Sequence, residues 1–289
     1  AWERRFAVVE PGRSESGRRL YSDADIVRLK LLASVTKEGW SIGRVAELPN
    51  ADLLALLDDQ QLPPARPAET TPPIDLFLAG ALEAVRHYDG HGLDRHLWRA
   101  VVALAPADFF DRVLTPLLVE IGELWRAGEL APASEHIATA VIRRVLGRIA
   151  DAIDTPAGID HIAVGTPAGQ VHDIGALLVA ASAAAEGWAV TYLGPDLPAP
   201  DIARAARRAG ARVVALSIIH PADDRQLPGE ISALREALPD DVAVVVGGAA
   251  AGAYARAIAA AGAHLLDDLA ALRGYLRALA RTDRHDRSA

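Results

Sequence analysis

The sequence predicts a multidomain protein in which a bundle of helices is followed by an α/β domain with a parallel sheet. Apolar residues recur at helical spacing between about residues 75 and 154, whereas short β-branched runs alternate with alanine-rich helical segments after residue 159. A stretch with five prolines at residues 60–74 separates the bundle from a smaller N-terminal region. The predicted parts are an N-terminal domain at 1–59, a linker at 60–74, a four-helix bundle at 75–156, a sheet domain at 157–281 and a polar tail at 282–289.

The composition limits the classes of protein and of site that this sequence can form. Its 289 residues, 51% of them apolar, are enough for two or three domains with ordinary cores. The absence of cysteine excludes disulfides, thiolate nucleophiles and cysteine-ligated metal centres within this sequence. Neither a signal peptide nor an apolar run of about 20 residues is present, so we expect a cytoplasmic protein that does not enter a membrane. Because the sequence contains no Met, we also expect that its natural N-terminus is missing.

The N-terminal region is the basic part of an otherwise acidic chain. Its first 50 residues hold nine Lys or Arg against seven Asp or Glu, while the whole chain has a formal net charge of -8. The turn-rich segment at residues 11–21 predicts a hairpin that carries Arg13, Arg18 and Arg19. A helix capped by Ser22 is expected to follow, and then a second, shorter helix.

Four amphipathic helices with short connections are predicted for the bundle, at about 75–87, 91–104, 106–127 and 132–153. Trp125 then lies at the end of the third helix, and the pair Glu135-His136 lies at the start of the fourth. A single Trp at a helix end is ordinarily a core residue, and an exposed Glu-His pair ordinarily has no ligand. The spacing, however, lets all three side chains face one end of the bundle.

Five βα units predict an open parallel sheet with helices on both faces. The predicted strands are at 161–165, 189–193, 212–217, 242–247 and 263–266. Ligands of such sheets bind beyond the carboxyl ends of the strands. His172 follows the first strand, and the second, third and fourth strands are followed by Gly194, Ser217 and Gly247-Gly248. We therefore expect these residues to lie at one edge, where a neutral imidazole is a suitable ligand for a transition metal.

These residues resemble a cobalamin-binding domain, whose pattern is Asp-x-His-x-x-Gly, then Ser-x-Leu, then Gly-Gly. The matching stretches at residues 170–175, 217–219 and 247–248 read QVHDIG, SII and GG. The resemblance implies that His172 replaces the cofactor's dimethylbenzimidazole as the lower axial ligand of cobalt, and that the nucleotide tail lies near the other two stretches. Gln170 stands where the family has a carboxylate. It can form a hydrogen bond but cannot carry a charge, so the bond between cobalt and histidine is tuned less strongly.

A second resemblance lies in the bundle. The spacing Trp-x9-Glu-His is similar to that of CarH-type photoreceptors, which bind adenosylcobalamin. It implies that Trp125 shields the adenosyl group while Glu135 and His136 contact its sugar. The two resemblances together give one set of cofactor-binding residues: Trp125, Glu135, His136, Gln170, His172, Asp173, Gly175, Ser217, Gly247 and Gly248.

Arg126 departs from the light-sensing members, in which the residue after the Trp can be a histidine that takes the upper cobalt position after illumination. A guanidinium is a very poor metal ligand. Either another group, such as His136 or water, takes that position, or light sensing is altered or lost. His220 is the less favoured candidate, because the resemblance assigns it to the side of the nucleotide tail.

The N-terminal region resembles the latter part of a MerR-type winged-helix DNA-binding domain. The resemblance rests on the string Arg-Leu-Tyr-Ser-x-x-Asp-Ile at residues 19–26 and on the arginine-bearing hairpin before it. In that family the arginines of the wing hold phosphate, which fixes the position of the protein on DNA rather than the sequence that is read. The residues implied to contact DNA are Arg4, Arg5, Arg13, Arg18 and Arg19.

The resemblances imply a partial winged helix, a four-helix bundle and a Rossmann-like (flavodoxin-like) cobalamin domain in a transcriptional repressor without enzymatic activity. Bound adenosylcobalamin would favour a homodimer or homotetramer on operator DNA, and light would break the cobalt–carbon bond and release the DNA. Two alternatives stay open. One is a methyl-carrying corrinoid module of a methyltransferase, and the other is a regulator whose use of the cofactor has changed.

Overall fold

The computed structural model describes residue 9 and residues 12–13, 19–20, 22–37, 42–46, 48–50, 53, 74–151 and 159–286. The chain divides into two compact units, Ala1–Pro72 and Pro73–Ala289. The division falls within the linker predicted at 60–74. Each unit is therefore described by itself.

The smaller unit contains the predicted hairpin and the predicted helix. Strand β1 (Gly12–Arg13) pairs antiparallel with β2 (Arg19–Leu20), and helices α1 (Asp23–Lys37) and α2 (Ile42–Val45) follow. The hydroxyl of Ser22 accepts a hydrogen bond of 3.2 Å from the N–H of Asp25, which is the N-cap bond that the sequence predicts. The buried apolar side chains described in this unit are Val9, Leu32, Val35, Val45, Ala46 and Leu53.

The larger unit begins with the helical bundle. Its elements are α3 (Ile74–Arg86), α4 (Gly90–Ala103), α5 (Pro106–Phe109), a π-helical segment (Phe110–Leu114), α6 (Thr115–Arg126) and α7 (Pro132–Asp151). The third predicted helix is thus not a continuous α-helix. Pro116 has no N–H with which to continue the α-helical ladder, and the N–H of Thr115 bonds to the carbonyl of Phe110, five residues back.

The α/β domain follows the bundle. Its elements are β3 (His161–Pro167), α8 (Ile174–Ala185), β4 (Ala189–Leu197), α9 (Ala199–Ala209), β5 (Val213–Ser217), α10 (Leu227–Ala237), β6 (Ala243–Gly247), a 3₁₀ turn (Ala251–Tyr254), α11 (Ala255–Ala260), β7 (His264–Leu265) and α12 (Leu269–Asp286). The five strands are parallel in the order β4-β3-β5-β6-β7. The predicted flavodoxin-like sheet is confirmed. The last helix continues into the predicted polar tail.

The position predicted for Gly194, beyond the end of the second strand of the sheet, is wrong. The register between β3 and β4 shifts at Gly165, which pairs with Gly194, and pairing resumes at Pro167 and Leu197. Gly194 has φ +92, a conformation that glycine adopts without steric cost. The irregularity lets the strand continue past the point where its β-branched run stops.

Helix α8 lies between the bundle and the sheet. Its Leu177, Leu178 and Ala181 belong to the apolar core of the bundle, whereas Ala176 and Ala180 pack with the sheet. Helix α12 packs on the same face of the sheet, and α9, α10 and α11 cover the opposite face. The bundle and the sheet domain are therefore joined through a shared buried helix. In the residues that the structure describes, no helix is both long enough and apolar enough to cross a membrane.

Candidate functional site

The strand order creates a crevice at the carboxyl edge of the sheet. The chain passes from β3 to β4 on one side and then returns to β5 on the other side of β3. At such a reversal the connections after the two adjacent strands separate, and α/β proteins bind their ligands there. His172 lies in the connection after β3, and Ser217 is the last residue of β5. The two residues thus stand on the two sides of the crevice.

The glycines predicted for the site occupy places where a side chain does not fit. A Cβ on Gly175, in the first turn of α8, would overlap the hydroxyl of Ser217. Ser217 in turn pairs with Gly247 across β5 and β6. Gly248 has φ +109, and a Cβ there would overlap the backbone carbonyl of Ile218. The structure therefore brings these separated sequence stretches together in one closely packed edge.

His172 itself is exposed. Its ring lies next to that of His220, with 6.1 Å between the centroids and 60° between the planes. Sequence reasoning gave His220 a minor role, because the resemblance assigned it to the side of the nucleotide tail. Its closeness to His172 depends on how the sheet places the connections after β3 and β5. Among the described residues no group of three or more His, Asp or Glu side chains could hold a metal ion.

Gln170 precedes His172 by two residues and is 1% exposed. Its backbone carbonyl accepts a hydrogen bond from the hydroxyl of Thr166 and another, of 3.2 Å, from the N–H of Asp196. The oxygen and the nitrogen of its side-chain amide are both buried without a hydrogen-bond partner. An unsatisfied buried polar group costs about 1–3 kcal/mol, so this amide is in an unfavourable state without a further group to bind.

Asp173 connects the loop of His172 to the bundle. Its carboxylate accepts hydrogen bonds from Arg143 Nη2 at 2.5 Å and Nε at 3.3 Å, and from the Tyr192 hydroxyl at 2.9 Å. Burial raises the pKa of Asp173, but the bonds from Arg143 and Tyr192 outweigh it, and the pKa is lowered from its ordinary value. The bond with Asp173 also raises the pKa of Arg143. Burial, together with the bond to Asp173, raises the pKa of Tyr192.

Arg143 and Tyr192 were not predicted as site residues. Arg143 is the first of two adjacent arginines on an amphipathic helix, a pattern typical of a solvated surface, and Tyr192 lies in an ordinary strand run. From the sequence alone, neither residue can be distinguished from one that has only a structural role. Arg143 comes to Asp173 through the packing of α7 against the start of α8, and Tyr192 comes from the neighbouring strand β4.

The residues predicted for the upper face lie at the ends of α6 and α7. Trp125, in the last turn of α6, is 54% exposed. Glu135, in the first turn of α7, contacts Nδ1 of His136 at 2.6 Å and accepts a hydrogen bond of 2.7 Å from the hydroxyl of Thr139. The side chain of His136 is exposed, as is Arg126. The structure thus joins Glu135 to His136 and leaves the indole of Trp125 partly in solvent.

The basic residues predicted to contact DNA are only partly described. Arg13 and Arg19 lie opposite each other on β1 and β2 of the hairpin. Arg4, Arg5 and Arg18 lie outside the described residues. The paired strands agree with the predicted hairpin, and the DNA contacts stay a prediction.

Known families match three successive parts of the chain. Residues 1–51 match the MerR HTH family regulatory proteins, and residues 78–150 and 160–273 match two B12 binding domains. The HTH-type transcriptional repressor CarH of Myxococcus xanthus is 33% identical over 252 residues, which cover 87% of this chain and 83% of that protein. The chain belongs to the CarH family of B12-binding, MerR-type transcriptional regulators.

Other relatives agree with the assignment to the CarH family. The HTH-type transcriptional repressor CarA of the same organism is 31% identical over 269 residues, or 91% of this chain and 85% of that protein. A structure of the Methanosarcina barkeri monomethylamine corrinoid protein superposes with a TM-score of 0.58 at 19% identity, over 71% of this chain and all of that one. This last likeness shows the fold alone. A CarH-family member thus combines a DNA-binding unit with a bundle and sheet domain that bind cobalamin.

Proposed function

We propose that this protein is a light-responsive repressor that binds adenosylcobalamin between the bundle and the sheet domain and leaves its operator DNA after illumination. The main support for the proposal is the path of helix α7 between two groups of residues. Glu135 and His136 lie in its first turn, and Arg143, two turns later, bonds to the residue after His172. One helix therefore runs between the two groups of residues that the proposal assigns to the upper and lower faces of the cofactor.

The residues of the sheet edge fit a corrinoid on two grounds. The buried amide of Gln170 lacks a partner two residues from His172, and a bound group or the reoriented imidazole could supply one. Among the described residues no group of three or more His, Asp or Glu side chains surrounds His172, so a metal held there would be one supplied with its own macrocycle. Cobalamin supplies four corrin nitrogens to its cobalt and a cobalt–carbon bond that light can break.

Each residue then has a defined role. His172 would hold the cobalt through an imidazole nitrogen, and Ser217, Gly247 and Gly248 would line the path of the nucleotide tail. Trp125 would cover the adenosyl group, while Glu135 and His136 would bind its sugar hydroxyls. Loss of the upper ligand would leave Trp125 without its contact. This would shift α6 and α7, and with them the homodimer or homotetramer that holds DNA.

The proposal extends to the residue that binds cobalt after illumination. Arg126 is exposed and cannot act as a metal ligand. His136, which Glu135 already holds at 2.6 Å, is the side chain that we assign to this role, with water as the alternative. A His136→Ala variant should keep the spectrum of the dark form and lose any spectrum of a second histidine ligand after illumination.

The decisive experiment compares DNA binding in three states of one preparation. Genomic DNA fragments selected by the protein in the dark are used in gel shifts with cofactor-free protein, with adenosylcobalamin in the dark, and after illumination. We expect tight binding only in the second state, and loss of this binding in His172→Ala. Equal DNA affinity in all three states would overturn the proposal.

A methyl-carrying corrinoid module is the second candidate, since the bundle and sheet domain share their fold with a corrinoid protein. The match of residues 1–51 to MerR regulators is not explained by that activity. The discriminating measurement is transfer of a methyl group from methylcobalamin on the reconstituted protein to a thiol acceptor. Catalytic transfer would favour the carrier. Failure of wild-type protein to bind any cobalamin would instead favour a regulator with changed cofactor use.

A further inference from the structure

The side chain of Asp173 does not make the hydrogen bond that is usual for an aspartate at the start of a helix. Asp173 is the N-cap residue of α8, where an aspartate ordinarily accepts a hydrogen bond from a backbone N–H of the first helical turn. Here the side chain makes no cap bond. Its two oxygens instead bind Arg143 of the bundle and the hydroxyl of Tyr192 from β4. The carboxylate is thus committed to a contact between domains rather than to its own helix.

Arg143 reaches Asp173 from a helix that also carries proposed cofactor contacts. It lies eight residues after Glu135, which places both on one face of α7 at a separation of about 12 Å along the helix axis. Thr139, midway between them, donates a hydrogen bond of 2.7 Å to Glu135. Because α7 is one continuous helix, a displacement at Glu135 would be passed along it to Arg143 and hence to Asp173.

The bundle and the sheet domain have a second ion pair that serves for comparison. Arg273 of α12 is 5% exposed and bonds to Asp111 of the π-helical segment, with Nη1 3.1 Å from Oδ1. The same side chain lies 4.0 Å from Glu186. This pair also joins the two domains, yet it touches no residue of the loop at 169–173. Docking of the domains therefore does not require Arg143 to bond beside His172.

We propose that Arg143 is a positioning residue that holds the His172 loop through Asp173 and couples the placement of His172 to α7. The inference rests on the proposed binding of cobalamin at His172 and adds a residue that would set how the histidine meets the metal. Groups that orient a ligating histidine from outside the coordination shell typically change metal affinity by about 10-fold to 100-fold when they are removed.

The test uses the protein loaded with adenosylcobalamin in the dark. Arg143→Gln, Asp173→Asn and the double variant are compared with wild type by their absorption spectra, which report whether a histidine is bound to cobalt, and by the Kd for cobalamin. We expect each single variant to lower the fraction of histidine-bound cobalt and to weaken binding about 10-fold. The double variant should bind no more weakly than Asp173→Asn, because that single variant already disrupts the contact with Arg143 as well as the bond from Tyr192. Arg143→Lys keeps the charge but not the forked contact. Its fraction of histidine-bound cobalt should therefore lie between those of Arg143→Gln and wild type.

Two control variants separate positioning from general damage. Arg144→Gln removes the neighbouring arginine of α7, which bonds to Asp94 within the bundle at 3.0 Å, and should leave the spectrum and the Kd unchanged. Arg273→Met breaks the other pair between the domains and should lower thermal stability without a change in the fraction of histidine-bound cobalt. Equal spectral losses in Arg273→Met and Arg143→Gln, or a Kd for Arg143→Gln within twofold of wild type, would overturn the proposal.

A cofactor-free measurement keeps this inference distinct from the proposed function. Amide hydrogen exchange at Gln170 and Leu177, whose N–H groups bond to the carbonyls of Pro167 and Asp173 at 3.0 and 2.9 Å, is compared between wild type, Arg143→Gln and Arg144→Gln without cobalamin. Faster exchange in Arg143→Gln alone is the expected result. If wild type fails to bind cobalamin through His172, the proposed function is wrong, and this exchange comparison still decides whether Arg143 holds the loop. Unchanged exchange in Arg143→Gln would overturn the inference, whether or not wild type binds cobalamin through His172.

Discussion

The two faces of the proposed cofactor site differ in how completely the protein alone builds them. At the sheet edge, Gly175 and Ser217 are in contact and Gly248 lies against the backbone of Ile218. At the bundle, the side chain of His136 is exposed and Trp125 is 54% exposed. The lower face is a packed piece of the α/β core, whereas the upper face consists of side chains on a helical surface.

This difference indicates which face of the site changes its packing when a ligand binds. Close-packed residues cannot move without disturbing the strands and helices that pack around them. An exposed indole, in contrast, gains apolar burial only when a ligand covers it. We therefore expect the lower face to be present before the cofactor binds and the upper face to be completed by it. The following predictions test this contrast, beginning with the largest effect.

Gly248→Ala should be the most damaging change at the lower face. The added Cβ would overlap the carbonyl of Ile218 and force a side chain into φ +109, so we expect the free energy of unfolding to fall by about 3 kcal/mol. Urea denaturation of the cofactor-free protein measures this. Gly274→Ala is the matched control, because its Cβ meets nothing within 4 Å inside α12 and should stabilise the protein by up to about 1 kcal/mol. Equal stability of the two variants would show that the edge is not closely packed.

Gln170→Met should have opposite effects on folding and on binding. It removes two unsatisfied buried polar atoms, so the cofactor-free protein should gain about 1–2 kcal/mol of unfolding free energy. Cobalamin binding should weaken at the same time, because the amide can no longer bond to the imidazole or the cofactor. Urea denaturation and cobalamin titration measure the two quantities. The exposed Gln226→Met is the control and should change neither; a destabilised Gln170→Met would contradict the prediction.

The contact between Asp173 and Arg143 should make stability depend on pH. The lowered pKa of Asp173 means that its contribution is complete above the ordinary aspartate value of about 3.9 and is lost as the pH falls through the lower, folded-state value. We expect wild type to lose about 1 kcal/mol more than Asp173→Asn between pH 5 and the acid limit of folding, since half-exposed Arg143 is screened by solvent. Parallel curves for the two proteins would contradict this. Glu186→Gln serves as a comparison, because bonding to Arg277 lowers the pKa of Glu186.

Trp125→Ala should have the smallest effect on the cofactor-free protein. Since the indole is largely exposed, the free energy of unfolding should change by less than about 0.5 kcal/mol, whereas Leu124→Ala, at 7% exposure, should cost about 3 kcal/mol. With adenosylcobalamin the order should reverse, and Trp125→Ala should weaken binding more than Leu124→Ala. A large loss of stability in cofactor-free Trp125→Ala would mean that the upper face is already packed.

The sequence predicted the elements more accurately than the contacts between them. Helical spacing located the bundle, β-branched runs located the first four strands of the parallel sheet, and the short run at residues 263–266 located the fifth. The π-helical segment at Phe110–Leu114 was missed because the apolar spacing continues through it, although Pro116 marks the change. The length of β4 was missed because a register shift at Gly165, rather than residue preference, extends the strand.

The order of the domains, the strand–helix pattern and the stretches at residues 170–175, 217–219 and 247–248 can be read from the sequence, because they depend on local periodicity and on short motifs. The partners that those stretches meet depend on the tertiary structure. Asp173 binds Arg143 rather than its own helix, His220 lies beside His172, and the amide of Gln170 has no partner. The physical reason is that each of these depends on the distance between segments far apart in the chain, and that distance is set by how α7, α8 and β5 pack.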